Sequence, residues 1–372
     1  MRILLLDDSF PFDGYSPQTR PLGGPEKAFA RLPGALVGLG HQVSVYNRSE
    51  RRLFIEGARW RPLGAEPLPF ETDLLIAHRT PALLEKVRGA RARLLWVTGD
   101  PAPLGGPEAR RRLADVGAVV ALAGPAQEAR WRGEVPMRRL PLGVGGDYLA
   151  SGRYFLDDPK PAEGPPRAIV TTHPAHGLAG ILEMWAEVIH PRVPAAELHV
   201  YSATLAKVAE GAEPPPELRE VAARALAMGG VGVRLLKPQG DPVMARAYRE
   251  ADVHLYPGHA GDLMAWTLAE SQAAGAAAVV GPQAAAVGRI DNGETGHVAP
   301  DDAGFANLAA QMLADRGWAA RLGAAAADPA RHLTWRASAE GFAELGERLL
   351  APQGAARPKV SRRFGLPRRE RP

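Results

Sequence analysis

The chain has 372 residues, 46% of them apolar and 23% charged, and no cysteine. That is enough for two domains with separate cores, and it excludes a disulfide framework or a cysteine metal site, as suits a reducing cytoplasm. The formal charge of +4 is uneven: from Arg357 onward seven basic residues meet one acid, Glu370, so the rest is slightly acidic and nucleic-acid binding by the fold is not indicated.

The opening run Met1–Leu6 is cut off by Asp7 and Asp8, which reads as a buried first strand rather than a signal peptide. No apolar run approaches the roughly 18 residues of a membrane span. Strands are expected at Arg2–Leu6, Gln42–Tyr46, Leu74–Ala77, Leu94–Thr98, Ala118–Leu122 and Arg138–Leu140. Most are unbroken apolar runs, the pattern of parallel strands buried on both faces. A helix is expected over Glu26–Leu39, where Phe29, Leu32 and Leu36 share a face, Pro33 should kink or divide it, and Gly40 stops it.

Residues Ser151–Pro166 are rich in proline, glycine and charge and read as a linker. A second α/β series follows, with strands at Ala168–Thr171, Glu197–Tyr201, Gly232–Leu236, Val253–Tyr256 and Ala277–Val280 and helices including Leu178–Ile189 and Asp241–Glu250. The expected architecture is α/β: an N-terminal Rossmann-like domain over 1–152, the linker at 153–166, a C-terminal Rossmann-like domain over 167–334, and a cleft between them. An amphipathic helix at Trp335–Leu350 is expected to pack back on the first domain, and 353–372 to be a disordered basic tail.

The motifs fall at strand ends. Gly23-Gly24-Pro25-Glu26 follows a long loop after the first strand: two glycines let a ligand approach the backbone, and proline and an acid suit a helix start. The alternative is a tight turn that only starts a helix. Asp100, after Leu94–Thr98, faces the cleft or serves a Gly-Asp-Pro turn. His173 and His176, after the first strand of the second domain, are placed to hydrogen-bond phosphate or sugar, or are loop histidines; no third ligand suggests a metal. Tyr201 and Lys237 end two further strands, and either frame a nucleotide or sit in simple loops.

The most informative stretch is residues 261–275. Asp262 precedes Glu270 by eight residues, with a helix start between them whose free N–H groups suit a phosphate. On one helix the two acids would stand about 12 Å apart and about 80° out of phase, wrong for paired acid/base hydrolysis. The spacing suits one acid in a loop and one in the helix, each gripping a different part of a long ligand. The competing roles are an N-cap for Asp262 and a surface position for Glu270.

Met1–Asp8, Gly23-Gly24-x-Glu26, Leu39-Gly40-His41-Gln42-Val43, Pro141-Leu142-Gly143-Val144 and the run from Tyr248 through Glu270-Ser-Gln-Ala-Ala-Gly275 to Asn292-Gly-Glu-Thr-Gly296 resemble the retaining GT-B glycosyltransferases of family 4. The resemblance implies a GT-B fold and metal-independent transfer of a sugar, with retention, from a UDP- or GDP-linked donor to a glycan, lipid-linked or small-molecule acceptor, with no cofactor. It implies that Asp262 contacts the sugar or its anomeric centre, that Glu270 holds the ribose hydroxyls, and that the amides of Met264, Ala265, Trp266 and Thr267 cradle the diphosphate. The family's diphosphate-neutralising Arg and Lys would fall near Thr171–His176, where this chain offers only His173 and His176. Its catalytic-region histidine would fall at Gly99 or Asp100. These departures motivate two alternatives, a GT-B-fold binding or scaffold protein and a nucleotide-sugar epimerase. A cytoplasmic location is expected, with the arginine-rich tail solvated or held against anionic lipid.

Overall fold

A computed structural model describes residues 1–149 and 164–352. The tail expected at 353–372, and most of the linker expected at 153–166, lie outside the described residues. The first lobe is built on an eight-stranded sheet of order β3-β4-β2-β1-β5-β6-β7-β8. Its strands are β1 (Arg2–Leu6), β2 (Gln42–Asn47), β3 (Leu53–Ile55), β4 (Ala58–Pro62), β5 (Glu71–His78), β6 (Gly89–Val97), β7 (Val119–Leu122) and β8 (Met137–Arg139). All neighbours are parallel except β3 and β4, which form an antiparallel hairpin. The second lobe carries a six-stranded parallel sheet of order β11-β10-β9-β12-β13-β14. These strands are β9 (Arg167–Val170), β10 (Glu197–Tyr201), β11 (Val233–Leu236), β12 (Val253–Tyr256), β13 (Ala277–Val280) and β14 (His297–Val298).

Seven helices build or brace the crevice: α1 (Gly24–Val37), α2 (Pro125–Arg130), α3 (Gly146–Leu149), α4 (Leu178–Met184), α5 (Asp241–Arg249), α6 (Trp266–Ala273) and α7 (Trp335–Leu350). α1 runs unbroken through Pro33, where a kink or division is expected. A mid-helix proline costs about 3 kcal/mol, but Pro33 is buried with Phe29, Leu32 and Leu36 on the same helix, and that packing holds the helix together. The helix expected over Leu178–Ile189 changes character at Trp185, where residues Trp185–Ile189 form a π-turn while the Trp185 indole donates to the Val231 carbonyl at 2.8 Å. The hairpin β3–β4 and the short β14 are additions to the expected strands. The hairpin turns on Glu56 and Gly57, both at positive φ.

α7 leaves the second lobe and returns to the first. Trp335, Ala339, Phe342 and Leu345 join the core formed by Ile3, Leu5, Phe29, Leu32, Leu74 and Trp96. Gly143 makes this return possible: a β-carbon there would lie 2.5 Å from the Trp335 backbone nitrogen. The lobes also touch directly, because a β-carbon on Gly240 of the second lobe would lie 2.3 Å from the Gln18 carbonyl oxygen of the first.

Beneath the strand ends of the second lobe, His254 is fully buried. Its ring bonds Ser271 Oγ of α6 at 2.7 Å and Thr171 Oγ1 beyond β9 at 3.2 Å. Burial pushes its pKa down to about 3, so it is a neutral strut tying β9, β12 and α6 into one unit.

Candidate functional site

The site is built where the start of α1 meets α6 across the crevice. Gly23 is the N-cap of α1, with Pro25 in the first turn and Glu26 beside it. Gly24 allows close approach of the other lobe: a β-carbon there would lie 2.8 Å from Trp266 Cγ. Trp266 in turn packs beside Trp335, with ring centroids 6.2 Å apart. Lys27 and Arg31, one helical turn apart, project from the same face of α1 toward the second lobe.

Lys27 Nζ lies 2.8 Å from Glu270 Oε1 and 2.9 Å from Asp241 Oδ1, and donates to the Tyr148 hydroxyl at 3.2 Å. Arg31 lies 2.7 Å from Asp241 Oδ2 and 3.1 Å from Asp147 Oδ2. Tyr148 OH donates to Asp241 Oδ1 at 3.0 Å, and Gln18 donates to Asp147 at 2.9 Å. Glu270, only 4% exposed, also accepts from the Trp266 indole at 2.8 Å on the same Oε1. Among the described residues its Oε2 accepts no hydrogen bond.

Burial works against the Lys27 charge, but Glu270 and Asp241 outweigh it and hold its pKa above the ordinary lysine value. Burial pushes the Glu270 carboxyl up, Asp241 pushes it further, and Lys27 only partly offsets this. The asymmetry has a plain cause: the lysine gains two carboxylates, while the glutamate gains one cation and faces a second anion.

The tip of α6 is organised by Asp262. Its Oδ1 accepts from the amides of Met264 and Ala265 at 3.2 and 2.9 Å, and its Oδ2 accepts from the Tyr256 hydroxyl. The Met264 and Ala265 amides, expected in a phosphate cradle, are therefore engaged within their own loop. The carboxylate expected on a sugar holds that loop in shape. Ala265 is forced into the left-handed region (φ 46°, ψ 52°), a strain of order 1–3 kcal/mol for a residue with a side chain. The helix that follows starts with three N–H groups, at Trp266, Thr267 and Leu268, that have no helical partner. Arg289 donates to the Met264 carbonyl at 2.9 Å and places a guanidinium beside this tip.

Three imidazoles stand at the neighbouring strand ends. His176 and His259 stack with centroids 4.0 Å apart and planes 1° from parallel, and His173 tilts against His176 at 5.3 Å. From the first lobe, Arg130 of α2 holds Asp100 at 2.7 Å and also donates to the Ala260 carbonyl at 3.3 Å. Asp100 thus stands at the crevice mouth, with a second oxygen accepting from the Ala102 amide in a turn. Deeper in that lobe, buried His78 bridges Asp7 at 2.6 Å and Thr98 at 2.7 Å, and Arg79, at φ 61°, pairs with Glu26 at 2.8 Å. Tyr201 is half-buried against the cluster around Tyr148 and Tyr248, and Lys237 is exposed beyond β11.

The structure therefore brings Gly23, Gly24, Trp266, Thr267 and Glu270 together across the crevice, and groups His173 and His176 beside Asp262. Lys237 stands apart, past the edge strand. Sequence reasoning passed over Lys27, Arg31, Tyr148, Arg130, His259 and Arg289. The spacing of Lys27 and Arg31 behind the glycine turn was the one readable signal. A cavity of about 310 Å³ lies elsewhere, between Leu140, Pro141 and the α7 residues Ala337 and Ser338. Its lining mixes Glu128 and Glu344 with Arg139 and Arg348, and it includes none of the residues grouped above. Among the described residues no group of three or more His, Asp or Glu side chains could hold a metal ion, and no helix is long and apolar enough to cross a membrane.

Residues 170–315 match the model of the family described as Glycosyl transferases group 1. No curated protein matches the sequence. Sucrose-phosphate synthase from Thermosynechococcus elongatus superposes with a TM-score of 0.70 at 18% identity, covering 94% of this chain and 99% of that one. WaaG, a glycosyltransferase involved in lipopolysaccharide biosynthesis, gives 0.63 at 14% identity over 92% and 99% of the two chains. Anabaena HepE, solved in complex with UDP-glucose, gives 0.63 at 13% identity over 94% and 100%. The fold is GT-B, two Rossmann-like lobes facing a central crevice.

Removing Lys27 leaves buried Glu270 without its cation and Asp241 with Arg31 alone. Lys27→Met is expected to lower stability in urea by about 3–5 kcal/mol, the usual cost of breaking a buried pair from one side. The double variant Lys27→Met with Glu270→Gln should recover part of that loss. A loss near zero for the single variant would mean that the bridge contributes nothing to docking the lobes.

Proposed function

We propose that the protein is a retaining, family-4-like glycosyltransferase that moves a sugar from a UDP- or GDP-linked donor to a glycan, lipid-linked or small-molecule acceptor. The observation that carries this reading is the α6 tip, set opposite the glycine turn within the segment that matches the glycosyltransferase family. Its free amides suit the donor's diphosphate, and electrostatic stabilisation of that leaving group is the main demand of the reaction. Glu270 is positioned one turn deeper. Lys27 and Trp266 both engage Oε1, which leaves Oε2 for ribose hydroxyls. The first lobe receives the acceptor near Asp100, and closure of the lobes excludes water and favours transfer over hydrolysis.

The reading assigns charge neutralisation to amides and histidines rather than to a metal or a cofactor. Asp262 acts in it by shaping the loop against the sugar, and His173 and His176 by facing the phosphates. Met264 and Ala265 belong to the same cradle through their backbone shape. Tyr201 and Lys237 serve only the outer edge of the nucleotide. A cytoplasmic setting fits this donor chemistry, and the arginine-rich segment from Arg357 supplies contact with anionic lipid. Deleting the residues after Pro352 should weaken binding to liposomes containing anionic lipid; unchanged binding removes the membrane contact.

Two observations favour a second reading, a GT-B-fold binding protein without catalysis: Glu270 is already held by Lys27, and no Arg or Lys stands at residues 171–176. A screen of UDP-, GDP-, ADP- and dTDP-sugars separates the two. The transferase reading expects one donor to raise the melting temperature and to be turned over, and expects Glu270→Gln to lose at least about tenfold in affinity, a charge-assisted bond being worth 1.5–3 kcal/mol. No response to any donor supports the binding protein. Conversion of the donor to an isomer without acceptor supports the epimerase.

A further inference from the structure

We infer that His173, His176 and His259 form a proton-coupled clamp for the donor diphosphate, in which His259 joins as a third member and His176 takes up a proton as the ligand arrives. The inference rests on the donor reading above and extends it to the question of how the leaving group is neutralised where no Arg or Lys follows β9.

The loops that carry the three rings leave adjacent parallel strands, β9 and β12, and are pressed together. Gly177 sits at φ 95°, and a β-carbon there would lie 2.8 Å from the Pro257 ring. This contact sets His176 face to face with His259. His173 and His259 are exposed and His176 is half-buried, so the cluster opens to the crevice side of the sheet, where an α/β fold binds its ligands.

The hydrogen bonds give the three rings different roles. His173 Nδ1 accepts from the Ala175 amide at 3.2 Å, and His259 Nδ1 accepts from the Gly261 amide at 3.0 Å. An Nδ1 that accepts carries no proton, so in each of these rings Nε2 is the N–H donor. Adding a proton at Nδ1 would break a backbone bond. Among the described residues neither nitrogen of His176 makes a hydrogen bond. His176 is therefore the ring free to change charge, and it lies flat on the His259 ring, whose aromatic face tolerates a cation.

The charges around His176 set its behaviour without a ligand. Burial lowers its pKa, His259 and His173 lower it further, and Asp262 pulls the other way. Arg130 reaches the same loop at the Ala260 carbonyl, and Arg289 reaches it at Met264. Burial thus biases His176 toward its neutral form before a ligand arrives. A diphosphate brings negative charge beside His176 and favours its protonated form. The sign follows from linkage: a group that binds a proton more tightly in the complex makes affinity rise as pH falls, by at most about tenfold per pH unit for one proton.

The test uses intact UDP-glucose and GDP-mannose, whose diphosphate has no proton to lose near neutrality. Calorimetry between pH 6 and 8, in buffers of different ionisation enthalpy, counts protons taken up on binding. For the wild type the expected result is uptake approaching one proton and affinity rising toward pH 6. His176→Asn should bind with no uptake and a flat pH profile. His259→Gln should bind more weakly at every pH while keeping the slope. Equal proton uptake in the wild type and His176→Asn overturns the clamp and leaves the donor reading intact. Absence of binding of either sugar at any pH by a folded wild type overturns the donor reading, and the clamp with it.

Discussion

One lysine joins the two lobes. Lys27 reaches from the helix after the glycine turn into a pocket lined by Glu270, Asp241 and Tyr148, all belonging to the second lobe or to the chain that leads into it. Burying a cation is costly, and here the cost is offset only while both carboxylates are in place. The arrangement therefore makes the relative placement of the lobes, and not merely their separate folding, a condition for satisfying buried charge. Arg31 repeats the logic one turn along, with Asp241 and Asp147. Trp266 seals the join by lying over Gly24, where any side chain would collide.

The same residues that dock the lobes border the candidate site. A nucleotide whose ribose reaches Glu270 must share that carboxylate with Lys27. The strained Ala265 and the neutral strut His254 show the opposite property, rigidity: the α6 tip is held in one shape by Asp262, Tyr256, Ser271 and Thr171, whatever the crevice does.

Much of the framework was readable because parallel strands buried on both faces appear as apolar runs. Glu197–Tyr201, Val253–Tyr256 and Ala277–Val280 and the last helix, Trp335–Leu350, lie where the pattern puts them. The hairpin after β2 was not readable, since it turns on Glu56 in a left-handed conformation rather than on an asparagine-glycine pair. Nor did Pro33 break α1, because tertiary packing overrode a local preference. At the site, the sequence located the α6 tip and the two glycines opposite it. It left a sugar contact and a local capping role for Asp262 both open, and it did not reveal that Lys27 and Asp241, 214 residues apart in number, would meet. Pairings across lobes leave no periodicity, so spacing alone has no access to them. His259 was missed for a related reason: a single loop histidine gains meaning only when folding stacks another upon it.

The most direct measurement is a crystal structure with a bound nucleotide sugar that stabilises the protein. The expected result places the diphosphate on the amides of Trp266, Thr267 and Leu268, within reach of the three histidines, with the ribose on Glu270. A nucleotide bound elsewhere, with the α6 tip still covered by Trp266 and Lys27, would contradict it.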